Sequence, residues 1–308
     1  MRHPALQTRD GDRLAAQGPR CTQRLAGGNV CVPTQGAVRT GKHTGHATIH
    51  HNGGFDLLFG CYDPDPAHTC FPRCLIRNSQ EVPLEGNTGN LLHGKTCRQY
   101  RIREESQQFL RDNKDRPFLA CLAWTPSHGR FGLPEDGPSF LLYKNKPWPH
   151  DLKVYAAMVH RVDRPLGEIR DLLTEPGIAH KTPIMFTGDK GGNAYLADQQ
   201  HPRGFMGPNA SLKAGVACRA GQGRFFEGGL RVPAIAHWPG RISAGVSNHL
   251  GSFPDLLRTF AEPAGAEVPR ISTAFRWCGI CWARQVPAAS SRNTGASTGR
   301  TATAPPSA

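Results

Sequence analysis

Cys31 opens the run Cys31-Val-Pro-Thr-Gln35, and a Thr40-Gly41-Lys42 turn follows nine residues on. A thiol can attack, be oxidised or ligate a metal, although an arbitrary cysteine is more often a small buried hydrophobe. Asp189 and Lys190 sit in a glycine-rich turn directly after Thr182-Pro-Ile-Met-Phe-Thr187. An aspartate there either shapes the turn or offers hard oxygens to a cation. His128 closes Thr125-Pro-Ser-His128 behind another apolar run, where an imidazole can hold an anion or carry a proton. Other motifs carry less. Cys278-Gly-Ile-Cys281 has C-x-x-C spacing without the second pair that a zinc site needs. His43 and His46 lie in a Gly/Thr loop, and His50-His51 is an isolated doublet. The glycine-rich stretch Gly204 to Gly229 lacks the G-K-[ST] of a phosphate loop.

Three elements must position these groups. Pro117 to Thr125 is a continuous apolar run ending at Pro126, which predicts a buried parallel strand. Between Tyr155 and Leu173, Val159, Val162, Leu166, Ile169 and Leu173 recur at steps of three and four, the period of an amphipathic helix. Pro165 lies inside that helix and predicts a kink or a cost of about 3 kcal/mol. Thr182 to Thr187 predicts a second buried strand. Strand, helix and strand with short connections are the grammar of a parallel sheet covered by helices, whose ligands gather at the carboxyl ends of strands. His128 and Asp189 both fall just past such ends.

The chain of 308 residues carries 37 Lys+Arg against 24 Asp+Glu, a net charge of +13. That charge favours polyanions: sulfated or phosphorylated substrates, membrane surfaces or nucleic acid. The basic residues are spread without interleaved aromatics, so no specific nucleic-acid site is expected. No run nears the roughly 18 apolar residues of a membrane span. No secretory signal is readable between Met1 and Arg20, which leaves localisation unassigned. The 35 Gly and 26 Pro predict many loops. Ten cysteines follow no repeated framework, so the redox compartment also stays open. Residues 271–308 hold no Asp or Glu and end in Ala, Ser, Thr, Gly and Pro, a composition that predicts a disordered tail.

Several segments, taken in order, are similar to those of the sulfatase (arylsulfatase) family of the alkaline phosphatase superfamily. Cys31-Val-Pro-Thr-Gln35 with Thr40-Gly41-Lys42 resembles C-x-P-S/T-R…T-G-R/K. Asp12-Arg-Leu-Ala-Ala-Gln-Gly18 resembles the family's D-R-L-A-x-x-G, and Gly54-Phe-Asp-Leu-Leu-Phe-Gly60 its G-F-D-x-F-x-G. Phe186-Thr-Gly-Asp-Lys-Gly191 resembles F-T-S-D-N-G. Phe226-Glu-Gly-Gly-Leu-Arg-Val-Pro233 with Trp238-Pro-Gly240 resembles Y-E-G-G-x-R-V-P…W-P-G, and Phe253 to Pro269 the close of the main domain. The resemblance implies an α/β fold with a mixed, mostly parallel central sheet and helices on both faces. Residues 1–270 would form an incomplete catalytic domain with an internal gap near 52–53, and the family's C-terminal subdomain would be missing.

The implied activity is hydrolysis of sulfuric esters, small or polymeric. Cys31, oxidised by a formylglycine-generating enzyme, would supply the nucleophile. His128 would contact the sulfate or the leaving group, and Lys42 the anion. Asp189 would ligate a divalent cation, calcium in this family. Departures touch the mechanism. Gln35 stands where the resemblance expects an arginine, and a neutral amide replaces a cation with five donors. Lys190 stands at a metal-ligating asparagine, yet an ammonium has no lone pair to give. Gln222 lies where a lysine would meet the substrate. The paired Asp residues of the family's first strand have no match, the sequence beginning past them. Cation binding is therefore expected to be weak or absent and turnover impaired, with the Lys190 ammonium partly replacing the cation's charge. The alternatives are a catalytically inactive sulfatase-like protein that binds polyanions, and a phosphoesterase of the same superfamily.

Overall fold

The computed structural model describes residues 6–28, 31–42, 55–61, 64–90, 93–128, 132–191 and 227–267. In chain order these form α1 (Arg9–Gln17), β1 (Pro19–Leu25), α2 (Cys31–Thr40), β2 (Phe59–Gly60), α3 (Pro64–Ala67), β3 (Cys74–Arg77) and β4 (Gln80–Pro83). There follow α4 (Arg98–Asn113), α5 (Pro138–Leu141), α6 (His150–Thr174), a 3-10 turn (Ala179–Lys181) and β5 (Ile184–Thr187). The last elements are α7 (Glu227–Leu230), β6 (Arg231–His237), β7 (Gly245–Ser247), β8 (Gly251–Ser252) and α8 (Pro254–Ala261).

The main sheet has the order β5-β6-β1-β7, with β8 also paired to β1. β1 is parallel to β7 and β8, whereas β6 is antiparallel to both β1 and β5. Four strands therefore point one way and β6 alone runs against them, the mixed and mostly parallel sheet that was expected. Gly18 permits the close approach of β1 to β6, since a Cβ there would stand 1.8 Å from the Ala236 carbonyl oxygen. A separate antiparallel sheet joins β2, β3 and β4.

The amphipathic helix runs further than its apolar stripe indicated, and its two halves serve two cores. Leu152, Val154, Ala156, Ala157 and Met158 pack with Phe140 and Tyr143, while Ile169 and Leu173 pack with Leu110 of α4. Full burial of each large apolar side chain contributes about 1.5–3 kcal/mol, enough to offset the Pro165 penalty several times over. The helix continues through Pro165, which is itself buried. Asp163 of α6 accepts the Asp10 N–H at 3.0 Å and the Gly11 N–H at 2.7 Å. It thus caps the first turn of α1, where Thr8 makes no side-chain cap.

The predicted strand at 117–125 is not a strand of the sheet. Among the described residues it takes no ladder partner, and Leu119, Cys121 and Ala123 face open space instead of packed neighbours. A cavity of ≈ 2250 Å³ is lined by both this run and β5, against about 300–1,000 Å³ for an ordinary ligand pocket. Open space occupies the place where a ladder would put its hydrogen-bonded neighbour. An apolar run specifies burial, but a strand also needs a partner within about 4.8 Å. The segment 271–308 and the region near 52–53 lie outside the described residues.

Candidate active site

Cys31 is the first residue of α2, at the positive end of that helix's dipole. Gln35 follows one turn later on the same face, and both line the cavity. Asp189 and Lys190 stand on the loop leaving β5. That loop is fixed at both ends, since the Gly188 N–H donates to the Pro233 carbonyl at 3.3 Å and the Gly191 N–H to the Gly229 carbonyl at 2.9 Å. A side chain at 191 would drive its Cβ to 2.1 Å from the Gly228 carbonyl oxygen, so only glycine lets the loop seat.

The fold brings three of the sequence-derived candidates to Cys31. Lys190 Nζ donates to Cys31 Sγ at 2.8 Å and to Asp189 Oδ2 at 2.6 Å. His128 Nε2 lies 3.8 Å from the same sulfur. The Lys190 side chain is only 3 % exposed, while that of Asp189 is 50 % exposed. Burial works against the Lys190 charge, but the Asp189 carboxylate and the hydrogen bonds to Asp189 and Cys31 outweigh it, holding this ammonium above the ordinary lysine range. Burial, the adjacent His68 and the Lys190 charge push His128 down to about 4 against the pull of Asp189, with Arg98 adding to the fall. The imidazole is neutral at neutral pH.

Two residues belong to this centre that sequence reasoning missed. His68 stacks on His128 with ring centroids 3.9 Å apart and planes at 3°. Arg98, buried at the start of α4, donates to the carbonyls of Ala67 and Thr69 on either side of His68 and to the Thr125 hydroxyl. One guanidinium therefore ties the His68 segment to the turn that carries His128, whose N–H donates to the Thr125 carbonyl at 3.1 Å. The Cys70–Cys97 disulfide closes the same loop. Neither residue sits in a motif; His68 follows a proline-rich stretch, and Arg98 begins a helix of many charges.

Lys42 is not brought to the site. It lies past the far end of α2, and at about 1.5 Å of rise per residue that helix sets it about 15 Å along from Cys31. Gln222, His43, His46, His50, His51, Cys278 and Cys281 lie outside the described residues.

The sulfatase family model matches residues 72–266, more than half of the chain. The chain belongs to the sulfatase family. The matched stretch contains His128, Asp189 and Lys190, while Cys31 lies ahead of it. Among the sulfatases similar to it are human N-acetylgalactosamine-6-sulfatase, 29% identical over 74% of this chain and 42% of that protein, and human arylsulfatase A, 32% identical over 88% and 62%. The chain thus spans between about two fifths and three fifths of these two relatives. The crystal structure of Ps i-CgsB in complex with k-i-k-neocarrahexaose is similar in fold, with a TM-score of 0.68 at 23% identity, over 89% of this chain and 70% of that one.

The calcium ion that the resemblance implies does not fit the described residues. It requires roughly six to eight oxygen ligands. Among the described residues Asp189 is the single carboxylate beside Cys31, and its oxygen is held by the buried Lys190 ammonium. Calcium there would have to compete with that ammonium for the one carboxylate.

Proposed function

We propose that this chain takes sulfate esters, small or polymeric, into the cavity beside Cys31 and hydrolyses them slowly without a metal ion. The observation that carries this reading is Lys190 Nζ at 2.8 Å from Cys31 Sγ, where a buried positive charge meets the reacting position. A sulfate ester is an anion, and its leaving oxygen gains charge as the bond to sulfur breaks, so fixed positive groups aimed at the site lower the barrier. Lys190 and the positive end of α2 supply them. Once oxidised to formylglycine, residue 31 would offer the hydroxyl of a hydrated aldehyde as nucleophile. His128, 3.8 Å away, is unprotonated near pH 7 and offers a proton acceptor to an attacking hydroxyl, although a base held near 4 is a weak one. The same neutrality makes it a poor acid toward the leaving group near pH 7.

Slow turnover follows from the substitutions. Gln35 presents a dipole where a guanidinium would pin the nucleophile, and one ammonium carries half the charge of a divalent ion. The test is hydrolysis of 4-nitrophenyl sulfate by the purified chain. Slow release that persists in EDTA and vanishes in Cys31→Ala and Lys190→Met is expected. Turnover that requires added calcium would overturn the metal-free reading.

A second reading, an inactive polyanion binder, draws on the Lys190–Asp189 ion pair, which occupies the carboxylate a cation would need, and on the net charge of +13. Mass spectrometry of the peptide containing Cys31 separates the two, since an aldehyde supports the enzyme and an unmodified thiol the binder. Phosphatase activity exceeding sulfatase activity would favour the phosphoesterase alternative.

A further inference from the structure

Cys31, His68 and His128 offer a sulfur and two imidazole nitrogens, all within 4.8 Å of one another and all half-buried. Two ligands of one tetrahedral zinc ion, with Zn–S about 2.3 Å and Zn–N about 2.0–2.1 Å, stand about 3.6 Å apart. Cys31 Sγ and His128 Nε2 are already 3.8 Å apart. The His68 and His128 rings are stacked with their planes at 3°, so one ring must tilt for both nitrogen lone pairs to meet a single ion within the 4.8 Å span that the three donor atoms share. Their backbone is braced beforehand, because Arg98 holds Ala67, Thr69 and Thr125, and the Cys70–Cys97 bond closes the loop beside His68.

We propose that Cys31, His68 and His128 form a binding site for a zinc-class divalent ion in the chain whose Cys31 retains its thiol. The donor set selects the ion. Sulfur and imidazole suit zinc and its borderline neighbours, whereas calcium and magnesium seek oxygens. On binding, the thiol proton passes to solvent as the sulfur–metal bond forms, and each imidazole gives a nitrogen lone pair. Three protein ligands leave a fourth position open to the cavity for water. Lys190 Nζ stays as a hydrogen-bond donor to the bound sulfur, and its charge weakens the site relative to one without it. The site requires no turnover, and oxidation of Cys31 to an aldehyde would remove the sulfur ligand.

The experiment titrates the purified full chain, with its Cys31 thiol verified by mass spectrometry, with Co²⁺ and then Zn²⁺. A sulfur-to-cobalt charge-transfer band in the near ultraviolet is expected, displaced by stoichiometric Zn²⁺ and untouched by millimolar Ca²⁺. Cys31→Ser should abolish the band, and His68→Gln should weaken Zn²⁺ at least about tenfold. His93→Gln, at an exposed histidine, should leave binding unchanged. Thermal melts in EDTA verify that each variant folds. If His68→Gln fails to fold, His128→Gln supplies the same measurement. A charge-transfer band that survives Cys31→Ser, or a Zn²⁺ affinity indifferent to the histidine variants, overturns the site.

Discussion

At the scale of single residues, Lys190 decides how the centre handles charge. Its ammonium is held by Asp189 and aimed at Cys31, so an anion in the cavity meets a buried donor already in place. A hydrogen bond to a charged group contributes about 1.5–3 kcal/mol. Lys190→Met should therefore weaken sulfate-ester binding roughly 30-fold, corresponding to about 2 kcal/mol, measured by calorimetry or inhibition. His128 provides the pH signature. The groups that act on it are His68, Lys190, Asp189 and Arg98, and its folded value of about 4 lies below the ordinary 6.5. Between those values the unfolded chain binds a proton that the folded chain refuses, so this contribution is complete above about 6.5 and is lost as pH falls toward 4. His160 and His237 are also held low by burial and act in the same direction. The measurement is thus a difference: in metal-free protein, His128→Gln should lose less melting temperature between pH 6.5 and 4 than the parent chain.

At the scale of elements, the reacting side chains sit at the ends of structure that other elements hold still. α1 is anchored by a carboxylate 152 residues away in sequence from Gly11, not by its own N-cap. Burial holds Asp163 above the usual carboxylate range even though two backbone N–H groups stabilise its charge. Asp163→Ala leaves both donors without their acceptor and should cost about 2 kcal/mol in denaturant unfolding. Asp163→Asn, which retains one acceptor oxygen, should cost less. Equal losses would show that the cap contributes little. The loop after β5 is seated on α7 through Gly191, which explains why a motif residue carrying no chemistry is needed beside Lys190.

Across the whole molecule, a sheet on one side and helices α4 and α6 on the other enclose a cavity larger than a single small ligand fills. The histidine side of the site depends on the Cys70–Cys97 bond, which lies 27 residues apart in sequence and is buried against Phe71, Phe140 and Tyr143. Closing a loop of that length stabilises by about 3.5 kcal/mol in the chain-entropy account. Cys97→Ser should lower stability by about that amount under oxidising conditions. A reducing agent should bring the parent chain down to the level of the variant, as followed by thermal melting.

The sequence by itself determined the family, the mixed and mostly parallel sheet, the α6 helix and the β5 strand. Ordered motifs and hydrophobic period are local signals that survive without knowledge of contacts. It also marked Cys31, His128, Asp189 and Lys190, because each sits in a motif or just past an apolar run. Only the tertiary structure decided that the run at 117–125 has no ladder partner, since pairing is a property of two segments and one segment cannot reveal it. Lys42 was placed at the wrong end of a helix for the same reason: adjacency in a motif becomes a distance only once the helix between is built. His68 and Arg98 entered the centre through contacts that cross 60 and 27 residues of chain, to His128 and Thr125. No spacing in the sequence encodes such contacts, which arise where packed elements bring distant backbone together.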